Sequence, residues 1–362
     1  MIKIPVTHYL SRVTHLRESL QRKGIDGFLV TEINNIRYLT GFTGSSALLL
    51  ITERTHVFVT DFRYKEQSER EIKGWDIILE KGNMVRTVKV LSKKMGIKKL
   101  GLESSVSYEF FRRLSEDMSL KAFKGLIERL REIKDAIEIN SIREAVRRAE
   151  ITFLEVRPYI KQGVRERAIA LRLEERLKKK GCRHIPFDVI VASGPNSAMP
   201  HARPTERILN KGDLIIVDWG GEADGYFSDM SRTLLIYKGD NINKKKEIYQ
   251  LVLEANKRAI SLVSPGVKSR EVDSFARNVV RKAGYGEFFG HGTGHGVGLQ
   301  VHELPSITWN KREVIKENMV FTIEPGIYVP GLGGVRIEDM VMVKPDGPAV
   351  LTTLPKELDI MR

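Results

Sequence analysis

Asp218 and Asp229 stand in LIIVDWGGEADGYFSDMSRTLLI, Glu324 and Glu338 in MVFTIEPGIYVPGLGGVRIEDMVMV, and His295 lies between these segments in FFGHGTGHGVGLQVHELP. In each acidic segment two apolar, strand-like runs flank a Gly-rich turn, and each run carries one acid. Burying an isolated carboxylate carries a large desolvation penalty, so acids in such runs must be paired or metal-bound. Four of them in two look-alike segments, with an imidazole between, read as a cage for two divalent metal ions. The charges of two divalent cations balance those of four carboxylates, and His295 adds one neutral nitrogen. An oxygen-rich set with one imidazole suits Mn2+ or Co2+, admits Zn2+ or Fe2+, and suits thiolate-seeking metals poorly. Two such ions share a water, lower its pKa and clamp an oxyanion, so the expected reaction class is metal-assisted hydrolysis.

Other residues gather around this set. His291 and His302 share the Gly-rich segment with His295, a dense cluster for a chain with eight histidines. Alternation along GVGLQVH would put His295 and His302 on opposite phases of one extended segment. With five ligands filling the cage, His302 is assigned to the substrate or the developing oxyanion. His291 either supports a ligand or walls the pocket. His201, in VASGPNSAMPHARP, suits a loop that closes on substrate, and equally a turn cap. Arg336, two residues before Glu338, shares its strand face if the period is two; it either offsets the anionic cage or binds a substrate carboxylate.

The elements that must position these groups follow from pattern. Residues 1–124 alternate helix-like and strand-like runs, with strands at IDGFLV, SALLLIT and THVFVT, the pattern of an α/β layered domain. Tyr38, Asp61 and Arg63 in that region could line a shared cleft, while turn-building and helix capping are the blander reading of its Asp, Thr, Gly and Ser residues. The charged stretch ERLREIKDAIEINSIREAVRRAE is expected to open one long amphipathic helix bearing Ile133, Ile137, Ile142, Ala145 and Ala149. A second domain, 125–362, begins just before it. There a pair of helices followed by an acid-bearing strand pair occurs twice, with the breakers at Gly163 and SPGVKS. That is an α+β internal duplication which builds one site at a pseudo-twofold axis.

Composition narrows the function classes. With Cys182 as the one cysteine, an intramolecular disulfide framework and Cys-based metal sites are excluded. The N-terminal stretch has no continuous apolar core and no window reaches the length of a membrane span, so the expectation is a cytoplasmic protein without membrane contact. The net charge of +14 would suit a polyanion. The basic runs at Lys178–Lys180 and Lys244–Lys246, however, stand beside Glu174, Glu175 and Glu247 at helix ends, and no nucleic-acid signature accompanies them. Solvated helix faces and no nucleic-acid partner are the expectation.

The segments IVDWGGEADGYFSDMSRT, GHGTGHGVGLQVHE, FTIEPGIY and GGVRIED, with RYLTGFTGS and LREIKDAIEINSIREA, resemble the pita-bread metallopeptidases of the Xaa-Pro group, which contains prolidase and aminopeptidase P. The resemblance spans the chain. It implies an N-terminal creatinase/prolidase-type α/β domain and a pita-bread (creatinase/aminopeptidase-like) catalytic domain whose helices back a curved antiparallel sheet. It implies Asp218 on one metal, His295 and Glu324 on the other, and Asp229 and Glu338 bridging both. Glu324 would serve as general base, His302 and His201 would contact substrate, and Thr233 and Thr322 would hydrogen-bond ligands. Proline-containing peptides are the implied substrates and a homodimer the implied assembly. The Xaa-Pro bond is a tertiary amide of restricted geometry, which is why a dedicated site exists for it. Many prolidase-like relatives place an arginine shortly after the second histidine, whereas ELPSITWNKRE offers Ser306. That favours the aminopeptidase over the alternative, an Xaa-Pro dipeptidase. A non-enzymatic pita-bread module that binds a polyanion or a protein is the alternative of another class.

Overall fold

The computed structural model describes residues 5–21 and 23–361. The chain divides into two compact units between Arg131 and Glu132, against the boundary at 124/125 expected from pattern. The six residues that follow Gly125 form a helix, Leu126–Arg131, that belongs to the first unit.

In the first unit the order is α1 (Val6–Gln21), β1 (Gly27–Val30), α2 (Ile33–Thr40), β2 (Ala47–Thr52), β3 (His56–Thr60), α3 (Lys65–Glu71), β4 (Asp76–Leu79), α4 (Met84–Lys94), β5 (Lys99–Glu103), α5 (Tyr108–Ser115), β6 (Ser119–Phe123) and α6 (Leu126–Arg131). One six-stranded mixed sheet runs β4-β3-β2-β1-β5-β6. The expected strands are present, whereas α2 was not anticipated. Leu29, Leu48, Leu50, Val57 and Val59 pack from the sheet onto Val85, Val88 and Leu91 of α4. Fully burying such a side chain is worth about 1.5–3 kcal/mol, which sets the register of each strand. Tyr38 is buried beneath the Arg12 guanidinium, 4.0 Å above its ring. Asp61 caps the 3-10 turn Phe62–Tyr64 and pairs with Arg63 at 2.8 Å. The capping reading therefore describes Asp61, whereas Tyr38 packs inside the unit as a buried residue of α2.

The second unit begins at Glu132, and its first helices are α7 (Ala136–Val156) and α8 (Glu166–Lys179). The expected helix does not run through residues 132–135. Asp135 instead caps α7, its side chain accepting from the amides of Ile137 and Glu138 while Glu138 returns to the Asp135 amide. This Asp-x-x-Glu capping box outweighs the apolar periodicity that carried Ile133 into the helix. After β7 (Ile190–Ser193) come β8 (Leu214–Trp219), a small hairpin of β9 (Glu222–Ala223) and β10 (Tyr226–Phe227), and β11 (Met230–Ile236). Next follow α9 (Ile242–Leu262), α10 (Ser269–Lys282), β12 (Gly294–Gly296), β13 (Glu303–Ile307), β14 (Val320–Ile323), the hairpin β15 (Gly326–Val329) and β16 (Gly333–Arg336), then β17 (Asp339–Lys344), β18 (Gly347–Val350) and β19 (Asp359–Met361).

These strands make a four-stranded sheet, β19-β11-β8-β7, and a five-stranded sheet, β13-β12-β14-β17-β18. The duplication is visible in the connections. The antiparallel pair β8/β11 is interrupted by the β9/β10 hairpin, and the antiparallel pair β14/β17 by the β15/β16 hairpin. Ile248, Val252 and Ala259 of α9, with Val272, Ala276 and Val280 of α10, bury against Phe321, Ile323, Val335 and Val341. In the other half, the Trp219 ring stacks on Phe153 of α7 with centroids 4.5 Å apart, and its indole N–H donates to the Ala149 carbonyl. Buried Arg232 of β11 joins the halves: it donates to the carbonyls of Ser231 and Glu338 and to the Asp339 carboxylate at 2.9 Å.

Candidate metal centre

Each of the four acids stands where an acid-bearing strand pair meets its hairpin. Asp218 is the penultimate residue of β8 and Asp229 immediately precedes β11; Glu324 immediately follows β14 and Glu338 immediately precedes β17. Asp218 is opposite Ser231, and Ile323 opposite Asp339, so Glu324 and Glu338 lie one step off the end of their ladder. Strand ends put the carboxylates at the sheet margin, where the ladder stops consuming space and a cavity opens. His295 is the middle residue of β12. Both its neighbours must be glycine, since a Cβ on Gly294 would stand 1.8 Å from the Thr322 carbonyl oxygen and one on Gly296 2.0 Å from that of Leu304.

The five side chains converge. The groups Asp218, Asp229 and Glu338, and His295, Glu324 and Glu338, each offer ligand atoms within 4.8 Å of one another. His295 Nδ1 faces its neighbour's carbonyl, Gly296 O, at 3.2 Å, and Nε2 is 3.4 Å from Glu324 Oε1 and 3.6 Å from Asp229 Oδ2. An Nδ1–H donating to that carbonyl leaves the Nε2 lone pair as the one that could ligate a cation. Asp229 and Glu338 are almost wholly buried, and one oxygen each of Asp218 and Asp229 is buried without a hydrogen-bond partner. Burial, reinforced by Asp218 and Glu324, pushes Asp229 well above the usual carboxylate range, and burial with Asp229 and Glu324 does the same to Glu338. Burial also raises Glu324 and lowers His295, the latter towards the neutral form that ligates. Such mutual repulsion and orphaned oxygens are what divalent cations relieve, so the donor set fits them.

Around the five lie the remaining expected residues. His302 is close: its ring centroid is 4.3 Å from that of His295. The two do not occupy opposite phases of one extended segment, because β12 ends at Gly296 and the chain folds back into β13, which pairs antiparallel with β12. His302 also falls within ligand reach of Asp229 and His295; its exposed position leaves it facing the cavity. His291 and His201 line the same cavity of about 400 Å3. Burial lowers the His291 pKa, and its Nδ1 lies 2.7 Å from Gly292 O. In the neutral tautomer with Nδ1–H bonded there, Nε2 accepts from the Tyr328 hydroxyl at 2.9 Å.

Arg336 resolves the choice left by its spacing. Its Nε donates to Ser231 Oγ, Nη1 to Pro200 O and the Tyr328 hydroxyl, and Nη2 to Asp218 Oδ2 at 2.7 Å. The fork is committed to the protein and offsets the anionic cage. Burial works against its charge, but Tyr328, Asp218 and Glu338 outweigh this and hold it firmly protonated. Burial pushes the Tyr328 hydroxyl up to about 12. Thr322 touches two of the candidate ligand residues, donating to Glu324 Oε1 at 3.3 Å and accepting from the His295 amide. Thr233 does not: its hydroxyl donates to the Arg336 carbonyl and accepts from the Arg336 amide, fixing the backbone behind the site.

Two contributors escaped sequence reasoning. Ser231 donates to Glu338 Oε2 at 2.7 Å; its place two residues after Asp229, on the same strand face, is a signal that the period-two rule could have supplied. Tyr328 carries no such signal, because only the fold of the β15/β16 hairpin brings it between His291 and Arg336. Phe187, Ile190 and Pro204 add an apolar wall.

The comparisons with known proteins agree with this geometry. Residues 140–345 match the description of metallopeptidase family M24, and residues 12–133 that of the creatinase/prolidase N-terminal domain. An Xaa-Pro dipeptidase of Pyrococcus horikoshii is 37% identical over 96% of this chain and 98% of its own. Among solved structures, an Xaa-Pro dipeptidase from Bacillus anthracis is 38% identical with a TM-score of 0.94, covering 98% of this chain and 100% of that one. An X-Pro aminopeptidase from Thermotoga maritima is 37% identical with a TM-score of 0.87, covering 96% and 99%. The chain belongs to metallopeptidase family M24, with the pita-bread catalytic fold and the divalent-metal chemistry of that family.

Proposed function

We propose that this M24 metallopeptidase hydrolyses Xaa-Pro dipeptides, with Asp218, Asp229, His295, Glu324 and Glu338 holding two divalent ions, Mn2+ or Co2+ foremost. The observation that carries the hydrolase reading is the convergence of four carboxylates and one imidazole around buried, unpartnered oxygens of Asp218 and Asp229. The dipeptide reading rests on the relatives, among which Xaa-Pro dipeptidases of Pyrococcus horikoshii, Pyrococcus furiosus and Lactobacillus helveticus are 36–43% identical. That weight reverses the order expected from Ser306, which had placed the aminopeptidase first. The Thermotoga maritima aminopeptidase keeps cleavage of longer Xaa-Pro peptides as the second reading.

Bound ions would supply Lewis acidity and a water acidic enough to attack near neutral pH. Glu324, placed beside His295 with its pKa raised by burial, would take a proton from the attacking water as its oxygen bonds to the carbonyl carbon, and would pass that proton to the proline nitrogen as the C–N bond breaks. This nitrogen must be protonated to leave. His302 and His201, which face the cavity, donate to the oxygen that gains charge as the carbonyl becomes tetrahedral. Arg336 and Tyr328 keep the carboxylates and His291 in place throughout.

The test is turnover of Xaa-Pro against Xaa-Pro-Yaa after reconstitution with Mn2+ or Co2+. Faster cleavage of the dipeptide is expected. A preference for the tripeptide moves the assignment to the aminopeptidase, and cleavage of neither removes the enzyme reading.

A further inference from the structure

The metal cavity is lined by two arginines of opposite character. Arg336 is buried, with its donors committed to Ser231, Pro200, Tyr328 and Asp218. Arg203 stands on the rim with its side chain 86% exposed, facing Asp188, which is 82% exposed, at 3.8 Å. That separation is too long for a direct hydrogen bond, and an exposed pair of this kind is worth little. Arg203 is nevertheless presented by an anchored loop. Buried Glu166, the first residue of α8, accepts from the Ser193 amide and hydroxyl, from Asn196 Nδ2, and from the Thr205 amide and hydroxyl. Within the loop Ser197 Oγ accepts from the Gly334 amide. The segment carrying His201 and Arg203 is thus fastened on both sides.

We infer that Arg203 is a specificity-determining residue that takes the free carboxylate of an Xaa-Pro dipeptide, exchanging its loose contact with Asp188 for a charge-assisted pair with substrate. The inference rests on the dipeptidase reading above. The cavity is lined by five carboxylates, four in the cage and Asp188 at the rim, and a dipeptide brings a further negative charge one residue beyond the scissile bond. A cation at the mouth offsets that charge, and a guanidinium matches a carboxylate through two parallel donors. Arg336 has no fork to offer, whereas Arg203 lies at the rim with only a weak competitor. A longer peptide or a C-terminal amide carries no charge at this position and gains nothing from Arg203. Asp188 sets the threshold, since it must release Arg203 before a carboxylate binds.

The experiment compares Ala-Pro with Ala-Pro-amide on the metal-reconstituted wild type, Arg203→Ala and Asp188→Asn, and measures binding of free proline and prolinamide by calorimetry. For Arg203→Ala the acid-to-amide ratio of kcat/KM should fall about tenfold, through KM rather than kcat, as for loss of one exposed charged hydrogen bond. Proline should bind more weakly while prolinamide holds. Asp188→Asn should move the ratio the other way. An unchanged ratio in Arg203→Ala, or a loss shared equally by acid and amide, overturns the role of Arg203 while leaving the peptidase reading standing. A wild type that cleaves neither substrate overturns both.

Discussion

Asp229 is the most constrained carboxylate of the site: it is buried, one of its oxygens has no hydrogen-bond partner, and burial with Asp218 and Glu324 raises its pKa well above the ordinary value. Only cations make its charged form comfortable there. Asp229→Ala should therefore abolish turnover, by at least about a hundredfold given that even indirect ligand contacts cost 10–100-fold, and should lower bound metal measured by plasma emission spectrometry. A variant that kept two ions per chain and near-normal turnover would contradict the bridging role. At this scale the sequence was most legible, because a carboxylate in an apolar run is conspicuous whatever the fold. Ser231 and Arg203 were not, since a serine or a loop arginine is unremarkable until its neighbours are known.

Two elements depend on acids in different surroundings, a buried one on α8 and a partly exposed one on α7. Glu166 begins α8 and gathers Ser193, Asn196 and Thr205, and so carries the loop with His201. Glu166→Ala removes the acceptor of the buried Ser193 amide, at a cost of about 1–3 kcal/mol, and unties Asn196 and Thr205. The expected outcome is a lower urea midpoint together with a raised KM. An unchanged KM in a destabilised protein would show that the loop needs no anchor. On α7, the side-chain hydrogen bonds of Arg147 and then Arg148 hold Glu144 at about 2, below its ordinary value of 4.5. A depressed folded pKa adds stability above the unfolded value, and that stability is lost as pH falls from about 4.5 through about 2. Because the pair is largely exposed, Glu144→Gln should cost less than about 1 kcal/mol at pH 7. The gap in denaturation midpoint should narrow by pH 3; a gap that widened in acid would refute the assignment. Helices and strands with strong periodicity were readable in advance. The break at residues 132–135 runs against the apolar spacing, and its signal lies in the capping box of Asp135 and Glu138.

For the whole molecule, metal and fold are linked. The cage sets four acids against one another in the second unit, so ions bound only by the folded chain stabilise it by mass action, about 2.7 kcal/mol at a hundredfold excess over Kd. Chelation with EDTA should abolish activity and lower the calorimetric unfolding temperature by roughly 5–10 °C, with both restored by Mn2+ or Co2+. Identical scans with and without chelator would show that the carboxylates are tolerated without ions. No helix among the described residues is long and apolar enough to cross a membrane. The sequence by itself determined the candidate acids and their pairing into two repeated strand-turn-strand segments, the α/β and α+β fold classes and the family, because these depend on local alternation, glycine placement and residue chemistry. The tertiary structure alone decided that His295 and His302 fold back onto one another, that Arg336 is committed to Asp218 and Tyr328, and that Arg203 stands at the rim on a loop fastened by Glu166. Those facts depend on contacts between residues as far as 136 positions apart, such as Arg336 and Pro200, and no local pattern in a chain encodes which distant partner will occupy a donor.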